Sequence, residues 1–343
     1  MMTLGKVTRR AILALASISV AAVSAGFVAT AEAKPIRIAA IVLGMTSEFN
    51  VLWADAAKAH PRVADGTVQL TIMDGRIDAF VQSNLMDSAI TEKYDAVLFV
   101  PVDVNAGNAP VQRAVDAGIP VFGSNSLITK MNLYTSFINS DDVQAGEIEA
   151  KSVIDKMGGK GNVVIIEGPI GQSAQIQRKE GIEKILAANP DVKVLEIKTA
   201  NWSRAEAQSL MENWLTAHPD RINGVIAEND EEMLGALQAV KARNIPPTRI
   251  ALAGIDGITD ALVAVKRGEA MTTLQDATGQ AQGLVDLALR NLQGDTYKPA
   301  AALWDVNGGA LAWQGGTARH YFVPWVPVTA ANVDALMAMR KTH

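Results

Sequence analysis

Short, unbroken apolar runs alternate with segments of helical period along most of this chain, and that alternation restricts its fold more than any other feature. Residues 224–227, Gly-Val-Ile-Ala, form one such run. It lacks the in–out alternation of a half-exposed strand, as expected of a strand covered on both faces. Met233, Leu234, Leu237 and Val240 then recur at helical spacing. The same strand-to-helix unit is read at 36–42, 68–73, 96–100 and 119–122, and again at 162–166, 194–197, 250–253 and 271–274. Consecutive units of this kind imply an α/β fold of doubly wound parallel sheets with right-handed crossovers. A helix over 141–157, stopped by Gly158-Gly159-Lys160-Gly161, separates the two series. A chain of 343 residues has room for two such lobes.

Composition narrows the function by exclusion. A net charge of −5 leaves no basic surface for nucleic acid. The chain has no cysteine, which removes disulfides and thiol chemistry without settling the compartment. Its 4 histidines, His60, His218, His320 and His343, share no motif with a carboxylate and no metal-ligand spacing. Gly168-Pro169-Ile170-Gly171 lacks the Gly-Lys-Ser/Thr ending of a phosphate loop, and no nucleophile elbow or dinucleotide fingerprint occurs. An enzyme is therefore not expected, and neither a cofactor nor a metal. A transcriptional regulator with an effector domain of this fold would open on a helix-turn-helix. Here Lys6, Arg9 and Arg10 precede an uncharged run from Ala11 to Thr30 and the small-x-small sequence Ala31-Glu32-Ala33. Residues 1–33 read as a cleaved export signal, of the Sec or twin-arginine kind, which places the mature chain in the periplasm.

Polar residues gather just past the apolar strands. Ser47 and Asn50, Asn125 and Ser126, Gln175, Asn229, Asp256 and Gln275 all stand at such ends, with Phe49 and Trp202 at equivalent places in the two halves. In a parallel sheet this is the carboxyl edge, where open α/β proteins place their ligands. Asn229 also suits the N-cap of the helix that follows, and Glu231 and Glu232 suit its first turn. Amides that donate and accept at once match hydroxyls that do both, aromatic faces cover the C–H faces of a sugar, and a carboxylate grips hydroxyls through charge-assisted bonds. The set fits a small neutral sugar or polyol.

With Val225-Ile226-Ala227-Glu228-Asn229-Asp230-Glu231-Glu232-Met233-Leu234-Gly235-Ala236-Leu237, Gly254-Ile255-Asp256-Gly257, Ala217-His218-Pro219-Asp220 and Thr273-Leu274-Gln275 in this order, the chain resembles the periplasmic sugar-binding proteins of ABC importers. Within them it is similar to the ribose-binding class of type I solute-binding proteins, over about residues 36–292. The resemblance implies two lobes joined by a three-strand hinge. Lobe one would comprise residues 34–139 plus 276–305, and lobe two 140–275 plus 306–343. It puts Ser47, Phe49, Asn125, Trp202, Asn229, Asp256 and Gln275 at ligand-contact positions. It further implies delivery of the ligand to a membrane permease, with a sensor that presents a sugar to a receptor as the alternative, and a monomer as the default. Ribose binders carry Asp-Arg where this chain has Asn125-Ser126, a second arginine at Ile176 and a second phenylalanine at Asn50. Arg178 stands one helical step away, so both guanidinium clamps are expected to be missing, which counts against ribose and against anionic sugars.

Overall fold

A computed structural model describes residues 34–306 and 311–340. The export signal read at residues 1–33 lies outside them. Among the described residues, twelve strands form two sheets of six. The first is built from β1 (Ile36–Val42), β2 (Val68–Asp74), β3 (Ala96–Phe99), β4 (Val121–Ser124) and β5 (Ser136–Asn139). The second holds β6 (Gly161–Glu167), β7 (Val192–Thr199), β8 (Gly224–Ala227), β9 (Ala251–Asp256) and β10 (Met271–Leu274). β11 (His320–Phe322) and β12 (Val326–Pro327) complete one sheet each. Sheet order is β11-β5-β4-β3-β1-β2 in the first and β12-β10-β9-β8-β6-β7 in the second, and only β12 runs antiparallel. Both sheets reverse direction beside their first strand, so each has its topological switch point at the carboxyl end of β1 and β3 or of β6 and β8.

The strands look apolar because helices cover both faces. Ile38, Ala39, Ala40 and Ile41 in β1 and Val225, Ile226 and Ala227 in β8 have no exposed surface. Helix Ala277–Gln293 crosses back to the first sheet, packing Leu284, Val285 and Ala288 into its core. Its buried Asp286 accepts from Tyr297 Oη, from Ala300 N and Ala301 N at 2.9 Å each, and from Trp304 Nε1 at 2.7 Å. His60 Nδ1 accepts from Arg62 N, so its Nε2 carries the proton and donates to the same carboxylate. Burial alone would raise the Asp286 pKa; these donors, His60 first among them, hold it below the ordinary value.

The chain passes between the sheets three times, at 140–141, 275–276 and 324–325. Gln280 Nε2 donates to Ser140 Oγ, which ties the first crossing to lobe one, and Trp325 Nε1 donates to Asp141 O, which ties the first and third crossings together. Assigning all of 306–343 to lobe two does not hold: β11 pairs with β5 in the first sheet. The cause is aromatic. Tyr321 is buried with its ring edge-on to Trp304 at 5.4 Å, and Trp304 meets Trp313 at 4.9 Å, all on the first lobe. Only after the third crossing do β12 and helix Val333–Arg340 join the second lobe, where Lys266 pairs with Asp334. β5, four residues long, was not expected as a strand.

Candidate ligand-binding site

The carboxyl ends of the two sheets face each other across a cleft that is shut at both lips. On one lip Val104 N donates to Gly171 O at 3.0 Å and Leu127 N to Ser173 Oγ at 2.7 Å. On the other, Glu48 Oε1 accepts from Thr259 N at 2.9 Å and from its hydroxyl at 2.5 Å. Between the lips lies a space of about 340 Å³.

Lobe one contributes Leu43, Ser47, Phe49, Asn50 and Asn125 to the lining. Ser47 caps helix Glu48–Lys58, which turns Phe49 and Asn50 of its first turn inward. Lobe two contributes Gln172, Ala174, Arg178, Trp202, Asn229 and Asp256, and Gln275 comes from the hinge crossing itself. Asn229 caps its helix as expected and also lines the space. Its Oδ1 accepts from Glu232 N as the N-cap, which leaves Nδ2 to donate into the space. Gln275 has no exposed surface, and neither end of its amide finds a protein partner. Buried polar groups in proteins are nearly always bonded, so this amide is an exception among them. Asn125, Trp202 and Asp256 sit at φ of 61°, 60° and 125° although none is glycine. Backbone strain of this kind clusters where side chains must be aimed at a ligand.

The Glu228-Asn229-Asp230-Glu231-Glu232 segment builds the second wall. Glu228 Oε2 accepts from Gly168 N at 2.8 Å, and Glu232 Oε1 from Trp202 N at 3.0 Å. Asp230 accepts from Gly257 N, Ile258 N and Thr272 Oγ1 at 2.7, 3.0 and 2.6 Å. Each buried acid thus anchors the loop after a neighbouring strand. Glu232, foreseen only as a complement to the helix dipole, fixes the Trp202 backbone, while Glu231 pairs with Arg204. A side chain at Gly168 would start 2.0 Å from the indole, so only glycine lets Trp202 lie there.

Two expectations are corrected. Ser126 and Gln175 are buried but do not line the space, and Arg178, thought to stand off the site, does. Ser126 turns its hydroxyl to Gln172 and Asn125 instead, and Gln175 and Arg178 are placed by where a helix begins. It runs Ser173–Ala187, so Ala174 and Arg178, four apart, share the face toward the cleft and Gln175 turns away. Arg178 donates from Nε to Asp142 Oδ1 at 2.9 Å and from Nη1 to Glu228 O, which leaves Nη2. Gln172, the residue before this helix, shares the strand-end loop of Gln175 and could have been found by the same signal, whereas the apolar Leu43 and Ala174 carry none. Around the one arginine stand six buried acids. Burial raises Asp142 and pushes Glu149, Glu228, Asp230 and Glu232 well above the ordinary range. Asp256 rises to about 7 through burial, with Arg178 opposing and Glu231 and Asp142 adding to the rise.

A family model described as a periplasmic binding protein domain matches residues 38–296. The chain is 38% identical over 232 residues to a xylitol-binding protein of Mycolicibacterium smegmatis, covering 67% of this chain and 66%, just under two thirds, of that one. It is 31% identical over 319 residues to a putative rhizopine-binding protein of Rhizobium meliloti, covering 91% and 96%. Among solved structures, an ABC transporter solute-binding protein from Bacillus halodurans with bound myo-inositol superposes with a TM-score of 0.77 at 28% identity, over 89% of this chain and 98% of that one. The sheet order, the facing carboxyl edges and these matches agree, and the chain belongs to the periplasmic binding protein family.

Proposed function

We propose that this chain binds one small neutral sugar or polyol outside the cytoplasm, without transforming it, and delivers it as a single chain to the permease of an ABC importer. The observation that carries this reading is the pair Gln275 and Asp256: an amide with no protein partner and a carboxylate for which no bond to the protein is seen, both facing a space of about 340 Å³. An amide supplies a donor and an acceptor, and the carboxylate accepts from hydroxyls. The ligands named for two relatives, xylitol and myo-inositol, are of this class. Arg178 does not make the site anionic-selective. Its charge is met by Asp142 at 2.9 Å, so it is not a free cation for a phosphate or carboxylate.

Closure is the mechanism. Contacts made by both lobes at once stabilise the closed arrangement, and a ligand shifts the population toward it by its differential affinity. Phe49 and Trp202 cover the ligand from opposite lobes, and Asn229, Asp256 and Gln275 orient it near the hinge. The test is a thermal-shift screen against neutral aldoses, ketoses, inositols and linear polyols, with sugar phosphates and sugar acids as controls. At a hundred times its Kd a ligand stabilises by about 2.7 kcal/mol, a shift of several degrees. A response to the charged controls alone contradicts the reading, as does silence from all.

Trp202→Ala is expected to weaken binding of the ligand so found by about 10- to 50-fold, the loss of one apolar face. Isothermal titration measures it; a change under threefold removes Trp202 from the ligand surface.

A further inference from the structure

We infer that Gln172 is a positioning residue that ties the ring of Trp202 to the opposite lobe, so that the ligand surface is complete only when the lobes meet. Trp202 Nε1 on lobe two donates to Gln172 Oε1. Gln172 Nε2 donates across the cleft to Ser126 Oγ at 2.9 Å, and Ser126 Oγ donates to Asn125 Oδ1 at 3.4 Å. The relay is directional: the amide must accept at one end and donate at the other, and among uncharged side chains of this length only glutamine does both. It ends by occupying Asn125 Oδ1, which leaves Nδ2 of that lining residue to face the space. Gln172 and Ser126 are 2% and 0% exposed, so water does not replace the bonds while the lobes are shut. Ser126 lies behind the lining and touches no ligand, yet it is the only member of the relay that anchors Gln172 to lobe one.

The chain has no cysteine, so labels at Asn84→Cys and Ser209→Cys, exposed positions on helices of lobe one and lobe two, report the distance between lobes in the ligand-free protein. Gln172→Leu and Ser126→Ala are each expected to lower the closed-to-open ratio about tenfold, the loss of one buried link made only in the closed form. The double substitution is expected to lower it no further, and Gln172→Glu, which keeps the acceptor for the indole, to fall between. For a sugar or polyol bound by the wild type, the dissociation rate should rise about tenfold in Ser126→Ala while the association rate holds. A wild-type chain with no closed fraction, single variants that leave the ratio unchanged, or losses that add in the double would overturn the assignment. A screen that finds no sugar or polyol removes the reading under Proposed function, whereas the ligand-free distances decide the role of Gln172 on their own.

Discussion

Arg178→Met is expected to destabilise the protein by about 3–5 kcal/mol, the cost of leaving a buried charge without its partner. Arg178 and Asp142 are buried to 4% and 0% side-chain exposure at 2.9 Å, and Asp256 and Glu149 also lean on the same guanidinium. Methionine fills the volume but leaves these carboxyls facing one another and frees the Glu228 carbonyl. At about 2–4 °C per kcal/mol for a domain of 150–250 residues, the melting temperature falls by roughly 10 °C. Asp142→Asn in the same chain should restore part of that loss, because the two residues act as a unit and their effects do not add. Calorimetry on the single and double variants measures this. A loss under about 1 kcal/mol would mean that the acids are neutral in the native state and need no counter-charge.

That arginine marks the limit of what the residues reveal before a fold is seen. Parallel strands such as 224–227 were legible because helices on both faces leave no polar position in them. The strand-end residues Asn229, Asp256 and Gln275 were legible because the carboxyl edge of a parallel sheet is where a ligand can reach the backbone. The aim of Arg178 and Gln172 was not, since it depends on where helix Ser173–Ala187 starts. Their setting also depends on a helix crossing. An added side chain at Gly146 would lie 2.0 Å from Arg178 O, and one at Gly181 2.1 Å from Val143 O, so helices Asp142–Lys156 and Ser173–Ala187 touch backbone to backbone. This contact brings Asp142 and Glu149 to Arg178, and no local signal announces it. β11 was hidden for a like reason: three residues pair with β5 over a separation of more than 180, and no local pattern specifies that pairing.

Asp256→Asn is expected to raise Kd about 100- to 1,000-fold, the loss of one or two charge-assisted bonds of about 1.5–3 kcal/mol each. The same change should leave the ligand-free protein as stable as before or more so at pH 8, because it removes a buried carboxylate that no protein group is seen to bond. The pH profiles separate these two effects. With a native pKa of about 7 against 3.8 unfolded, Asp256 holds its proton more tightly in the folded state. Its contribution to stability is therefore fully present below 3.8 and lost as pH rises through 7. Asp142, Glu149, Glu228, Asp230 and Glu232 shift in the same direction, while Asp286, held low, adds stability that fails only as pH drops toward its own value. Ligand-free melting temperature should accordingly rise between pH 8 and pH 5. Affinity should move the other way. Hydroxyls prefer the ionised carboxylate, so binding lowers its pKa, and Kd climbs as pH falls below 7, by up to about tenfold per unit until the bound form also protonates. In Asp256→Asn the climb disappears while the stability trend, carried by the remaining acids, survives. A wild-type Kd that stays flat from pH 8 to pH 5 would place the ionised Asp256 outside the contact with the ligand.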